Sequence, residues 1–260
     1  NSKSKLTISD LKAHRREMPD AAVRHVVLLA LEEKTDTATI NKLISSIQNL
    51  TKLSCVKSLQ CGKQLTAIDD GRNATVMAVV DFADTEDYKT YASHPKHKQA
   101  IEEFILPNLK EGGRSAIQFY LNEAPTTSNA IVHTVLLKLN ENVEATMKEN
   151  MVDAINQLGI SAIPLVQNLV CGSQILSIDD GRNATVAATV TFKSDLDYVE
   201  YSKHPKHLKV ITEFVSPNLA KGGRSSCQIS TARCKTFFKS YELAFGLFVA
   251  LPTVISSFYI

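Results

Sequence analysis

The chain has almost no net charge. Its 29 lysines and arginines stand against 27 aspartates and glutamates, a formal +2 over 260 residues. That balance leaves no basic stripe of the kind that tracks a phosphate backbone, so a nucleic-acid partner is not expected. Cysteine is sparse as well. Cys55, Cys61, Cys171, Cys227 and Cys234 are odd in number, and none belongs to a CxxC pair. That argues against a disulfide framework or a zinc site, and free thiols in a reducing, cytoplasmic compartment are expected instead. Residues 1–21 contain no apolar h-region; Lys3, Lys5, Arg15 and Arg16 mix there with Asp10, Glu17 and Asp20. The stretch reads as a mobile leader rather than a targeting signal. Asn49, Asn73 and Asn183 open Asn-x-Thr triplets, which without such a signal are read as unmodified.

What the chain does have is a repetition. Tyr91-Ala-Ser-His94-Pro95-Lys96-His97 returns 110 positions later as Tyr201-Ser-Lys-His204-Pro205-Lys206-His207. From Cys61-Gly62 to Arg114 the first copy aligns without a gap onto Cys171-Gly172 to Arg224. Upstream, His25 answers His133 at an offset of 108, so the second copy carries two extra residues before its Cys-Gly. A period this long is domain-sized rather than solenoid-like. The expected division is a first domain at 22–121, a linker at 122–129 containing Pro125, a second domain at 130–231, and a segment 232–260 that matches neither.

Within one copy the order of elements follows from periodicity. Val23–Leu31 is a short run rich in β-branched residues, hence a strand. Val23, His25, Val27, Leu29 and Leu31 share one face, and Val26, Leu28 and Ala30 the other, so both faces need cover. Ile40, Leu43, Ile44, Ile47 and Leu50 recur at helical spacing, with Thr35, Asp36 or Thr37 as N-cap. Val56–Leu65 is a weaker strand, Asp69-Asp70-Gly71 a turn, and Thr75–Phe82 a buried strand. A helix over 85–92 is capped by Asp84 or Thr85. Pro95 ends it and opens another that buries Ile101, Phe104 and Ile105 before Pro107. Ser115–Leu121 is the last strand. The order β-α-β-β-α-β is the split βαβ of ferredoxin-like folds. Helices cover one sheet face only, so a lone unit would expose a large apolar patch, and the second copy is its natural cover. The expected fold class is α+β, with tandem ferredoxin-like units forming an intramolecular dimeric α/β barrel.

A unit of this order, with His in its first strand and Tyr-x-x-His-Pro-x-His in its second helical region, resembles the stress-response A/B barrel family, also called the Dabb or dimeric α/β barrel domain. The resemblance implies a barrel of two ferredoxin-like units, usually supplied by a homodimer and here by one chain, with higher self-association open. One branch of the family cyclises polyketides. By that likeness, His25, Tyr91 and His97 line a small pocket in the first unit, and His133, Tyr201 and His207 in the second. The Tyr and second His would carry the acid–base work. Aldol-type ring closure needs a base for a carbon-bound proton and a donor to polarise a carbonyl, which imidazole and phenol can supply. The same residues recur in members without known activity, where they pack and hydrogen-bond. His94, Pro95, His204 and Pro205 are expected to brace the turn between the two helices.

Other motifs point to less. His94-Pro-Lys-His97 has two-ligand spacing, but no further ligands recur beside both copies, so neither metal nor cofactor is expected. Asp69-Asp70 and Asp179-Asp180 read as solvated turns. Arg114 and Arg224, each after Gly-Gly, read as exposed turn arginines rather than anion nests. Cys61 and Cys171 have no neighbouring base to activate them. Residues 243–260 are 18 without charge, interrupted by Pro252, at the short edge of what spans a bilayer. They are a membrane anchor, a segment docked on the barrel, or an imperfect chain end. The functional expectation is a stress-associated, non-catalytic protein that binds a small hydrophobic ligand or self-associates. The alternatives are a polyketide-cyclase-like enzyme and an interaction module tethered to a membrane through 243–260. A pocket beside Tyr91 and Tyr201 that is filled by side chains speaks against catalysis.

Overall fold

A computed structural model describes residues 21–65, 74–121, 130–159, 161–175 and 184–231. Residues 1–20 of the leader, the linker, both Asp-Asp-Gly turns and the segment 232–260 lie outside the described residues. The first unit runs β1 (Val23–Leu31), α1 (Thr37–Gln48), β2 (Ser58–Lys63), β3 (Val76–Phe82), α2 (Thr85–Ser93), α3 (Pro95–Ala100) and β4 (Leu109–Tyr120). The second runs β5 (Ile131–Leu139), α4 (Ala145–Asn156), β6 (Val166–Ser173), β7 (Val186–Phe192), α5 (Asp195–Lys203), α6 (Pro205–Val210) and β8 (Leu219–Ser230). Of the offered caps, Asp36 takes the Thr39 N–H at 2.6 Å and Asp84 the Asp87 N–H at 2.8 Å. The two extra residues of the second copy fall between α4 and β6.

Each sheet is antiparallel, in the order β2-β3-β1-β4 and β6-β7-β5-β8. Register sorts the faces: His25 lies opposite Val80 on β3 and Gln118 on β4, and Val26 opposite Val79 and Ile117. The His25 face packs on the helices. On it, Leu29, Leu31, Ile40, Leu43, Ile47, Val76 and Ala78 form one buried cluster, and Val23, Val80, Phe82 and Tyr91 belong to another. The Val26 face turns inward. There Val26, Leu28, Met77, Val79, Ile117 and Phe119 merge with Val132, Leu136, Ala187, Cys227 and Ile229 of the second unit in a single core.

The sheets also meet edge to edge. Ile175 donates its N–H to the Gln118 carbonyl at 2.9 Å and Ala184 to Ala116 at 3.2 Å. Across the other seam Leu65 donates to Gln228 at 2.8 Å and Ala74 to Ser226 at 3.0 Å. Both edge pairs are thereby joined, so the eight strands close into a barrel around the shared core. The repeated glycine after each cysteine has its reason here. A Cβ on Gly172 would stand 2.5 Å from Phe119 Cδ2, and one on Gly62 3.1 Å from Ile229 Cβ, so each glycine receives a large side chain of the opposite unit. One end of the first unit also holds a buried ion pair, with Arg24 Nε 2.7 Å from Asp81 Oδ1 and Ser58 donating to Asp81 Oδ2 at 2.8 Å. The second unit has Val132 and Thr191 in those places.

One expectation fails. The Gly-Gly-Arg stretch is not a turn with an exposed arginine, because β4 begins at Leu109, well before Ser115. β1 pairs Leu29 with Arg114 and Leu31 with Leu109, so Lys110–Gly113 bulge out of the ladder. Gly112 adopts φ 59°, and a Cβ on Gly113 would collide with the Ala30 carbonyl oxygen. The backbone at Gly112 favours glycine, and the space at Gly113 admits nothing larger. Arg114 follows the bulge as a half-buried strand residue.

Candidate functional site

The repeated histidine and tyrosine side chains meet between α2 and the sheet. Tyr88 and Tyr91 are three residues apart on α2, which sets both rings on one side of the helix. Tyr91 packs at 5.1 Å centroid separation on Phe82, and Tyr88 at 5.7 Å. His25, 3% exposed near the start of β1, faces the Tyr88 ring at 5.4 Å and the Tyr91 ring at 6.5 Å. His97 on α3 lies against Tyr91 at 4.3 Å, and its Nδ1 is 3.2 Å from the Ala92 carbonyl. A carbonyl can only accept, so the neutral ring carries its proton on Nδ1 and its lone pair on Nε2. His94 is not in the cluster. Its Nδ1 accepts the Lys96 N–H at 3.1 Å and caps α3, while Pro95 supplies the first-turn residue that needs no donor.

The second unit repeats this arrangement. His133 faces Tyr198 at 4.9 Å, Tyr201 packs on Phe192 at 5.0 Å and on His207 at 4.4 Å, and His207 Nδ1 lies 3.2 Å from the Ser202 carbonyl. His204 caps α6 through the Lys206 N–H at 3.2 Å, with Pro205 behind it.

Burial dominates the electrostatics. It carries His25 down to about 3, with smaller contributions from the His97 and Arg114 charges nearby, while the Ile117 carbonyl pulls the other way. His133 falls to about 3 and His207 to about 4, again first by burial. His97 is lowered for the same reason, and the Tyr91 and Tyr201 phenols are pushed up. At neutral pH, then, the rings are uncharged. An imidazole whose conjugate acid lies near 3 is a feeble base, and a buried phenol donates a hydrogen bond far more readily than a proton. The Cys61 thiol, pushed up to about 12 by burial, is no nucleophile.

Three kinds of residue in the cluster lie outside the sequence motif. Tyr88 and Tyr198 are legible from their spacing to Tyr91 and Tyr201 and from their repetition. Arg114 and Arg224 read locally as turn residues, yet they stand near enough for their charges to depress His25 and His97, and His133 and His207, respectively. Gln118 and Gln228 bond the strand histidines at 2.8 and 2.7 Å; they too recur 110 positions apart, but nothing in the local pattern gives them a role. At one buried position near the sites the first unit has Ala116 and the second Ser226, and the Ser226 hydroxyl has no hydrogen-bond partner among the described residues. Among the described residues no group of three or more His, Cys, Asp or Glu side chains could hold a metal ion. A groove of about 700 Å³ between α1 and α3, lined by Asn41, Lys42, Ser45, Lys96, Gln99 and Phe104 among others, does not include the cluster.

The sequence profile of the stress responsive A/B barrel domain matches residues 23–119 and again 131–222. The chain belongs to the stress-responsive A/B barrel family. Two stress-response A/B barrel domain-containing proteins from Arabidopsis thaliana are similar to this A/B barrel chain. One is 23% identical over 187 residues, 70% of this chain and 69% of its own. The other is 28% identical over 158 residues, 58% of this chain and 74% of its own. Among solved structures, an anthrone oxidase-like protein superimposes with a TM-score of 0.56 at 12% identity, over 81% of this chain and 91% of its own, a likeness of fold. No helix among the described residues is long and apolar enough to cross a membrane.

Proposed function

We propose that this tandem A/B barrel chain is a stress-associated, non-catalytic protein whose two histidine–tyrosine clusters bind small, largely apolar molecules through hydrogen bonds. The observation that carries this reading is the burial of His25 and Tyr91, and of His133 and Tyr201, which leaves neutral hydrogen-bonding groups under α2 and α5 instead of groups poised to exchange protons. An apolar wall with a few oriented polar atoms is the usual make-up of a small-molecule site.

A second reading has its own support. His97 and His207 are only half-buried and turn a lone pair away from the helix carbonyl, which is what a base in a cyclase-like reaction would need. One experiment separates the two. The chain is incubated with 2-naphthol under calorimetry and, separately, with a linear poly-β-keto thioester followed by product analysis. Saturable 2-naphthol binding without cyclised product is the expected result. Cyclised product that disappears in His97→Ala/His207→Ala would replace the binding reading with the enzyme, and neither binding nor product would remove both.

A further inference from the structure

The strand histidine of each unit is wired to a glutamine of the other. Gln174, just past β6, reaches across the seam to β4: the Gln118 backbone N–H donates to Gln174 Oε1 at 3.1 Å, and Gln174 Nε2 donates to Gln118 Oε1 at 2.9 Å. Gln118 Nε2 then stands 2.8 Å from His25 Nδ1. At the other seam Gln228 N–H donates to Gln64 Oε1 at 2.7 Å, Gln64 Nε2 to Gln228 Oε1 at 2.6 Å, and Gln228 Nε2 stands 2.7 Å from His133 Nδ1.

The order of donors in this chain is forced. A backbone N–H cannot accept, so Gln174 must present its oxygen to it and its NH2 to Gln118. Gln118 must answer that NH2 with oxygen, which leaves its own NH2 for His25. Nδ1 of His25 is therefore an acceptor, and the ring proton is on Nε2. The competing arrangement has Nδ1 donating to the Ile117 carbonyl, 3.2 Å away. It would turn the Gln118 amide and set two NH2 groups, or an NH2 and a backbone N–H, face to face. An amide orientation is ordinarily inferred from its neighbours, and here the backbone N–H anchors the inference.

We propose that Gln174 and Gln64 are positioning residues that fix the ring tautomer of the opposite unit's histidine, holding His25 and His133 as Nε2–H donors aimed into their sites. Neither site is complete without the other half of the barrel. The strand histidine and the helix histidine of one site consequently play opposite parts: His25 offers an N–H, and His97 a lone pair. If the clusters bind small molecules, the ligand they suit carries an acceptor oxygen, such as a ketone or phenolic ether, toward β1 and a hydroxyl toward α3.

The wiring is tested without any ligand, by long-range ¹H–¹⁵N spectra of the imidazoles in the full chain. The wild type should show two buried neutral rings protonated on Nε2. Gln174→Glu keeps an acceptor for the Gln118 N–H but no donor, so Gln118 must turn its NH2 to the carboxylate and its oxygen to His25. That variant should switch one strand-histidine ring to the Nδ1–H form and leave the other unchanged; Gln64→Glu should switch the other. Nδ1–H rings in the wild type, or a folded Gln174→Glu protein with both rings unaltered, would overturn the proposal. Should the Glu variants not fold, the wild-type spectrum still decides the tautomer, and Gln174→Met supplies the loss of both bonds at similar size. Failure of 2-naphthol to bind would count against the ligand reading while leaving the tautomers where they are.

Discussion

His25 and His133 show what a single buried residue does to the behaviour of the chain. In the unfolded chain each imidazole has its ordinary value of 6.5; in the fold each lies near 3. Between those two pH values the unfolded state takes up protons that the native state refuses. Stability therefore rises with pH through that window, is complete above 6.5, and drains away as pH falls toward 3. Each group contributes about 1.4 kcal/mol per pH unit there, so the pair removes roughly 4 kcal/mol between about pH 6.5 and pH 5. That is a large share of the roughly 5–15 kcal/mol typical of a folded domain. His207, at about 4, acts in the same sense. Urea unfolding at neutral pH and again near pH ~5 measures it. A clearly lower midpoint in acid is expected, and equal midpoints would mean that these rings are not buried neutral groups.

Among the elements, β2 and β6 each meet a strand of the opposite unit, and their glycines are not equivalent. Gly172 takes Phe119, with the would-be Cβ 2.5 Å from Cδ2 and 2.8 Å from Cβ of that residue; Gly62 takes Ile229 at 3.1 Å. An added methyl at Gly172 must push a buried ring out of its rotamer, whereas at Gly62 it needs only a small retreat. Gly172→Ala is expected to cost about 1–3 kcal/mol and Gly62→Ala less than that, both read as shifts in the denaturation midpoint. Equal costs would show that the seams relax independently of the residues they hold. The bulge in β4 makes a related point. Gly112-Gly113 reads locally as a turn, and the pair does serve the backbone, Gly112 through its left-handed φ and Gly113 through the close Ala30 carbonyl. What the pair does, though, is keep the strand going and deliver Arg114 to the histidines.

At the scale of the molecule, the two units share one buried core. Val26, Leu28, Met77, Val79, Ile117 and Phe119 are buried against the second unit's sheet. Exposing such side chains costs about 1.5–3 kcal/mol each, together roughly 10 kcal/mol or more, as much as a small domain has to lose. Residues 22–121 made alone are thus expected to dimerise or aggregate, while the full chain satisfies the barrel by itself. Sedimentation velocity distinguishes these, and a stable, monomeric 22–121 would show that the shared core is dispensable.

Much of this could be read from residues alone, because it depends on near neighbours. Alternation in Val23–Leu31, helical spacing from Ile40 to Leu50, the caps at Asp36 and Asp84 and the break at Pro95 are each settled within a turn or a strand. The duplication then says that a second sheet is at hand to cover the first. The His25, Tyr91 and His97 trio was legible only through its repetition and its likeness to a family. The rest was decided by the closed barrel. Whether Gln118 turns its NH2 or its oxygen to His25 depends on Gln174, 56 residues away across a seam. Whether an imidazole near a phenol is a base or a buried donor depends on how completely helix and sheet exclude water from it. Sequence carries the pattern of polar and apolar groups; only packing sets their desolvation and the partners that orient their protons.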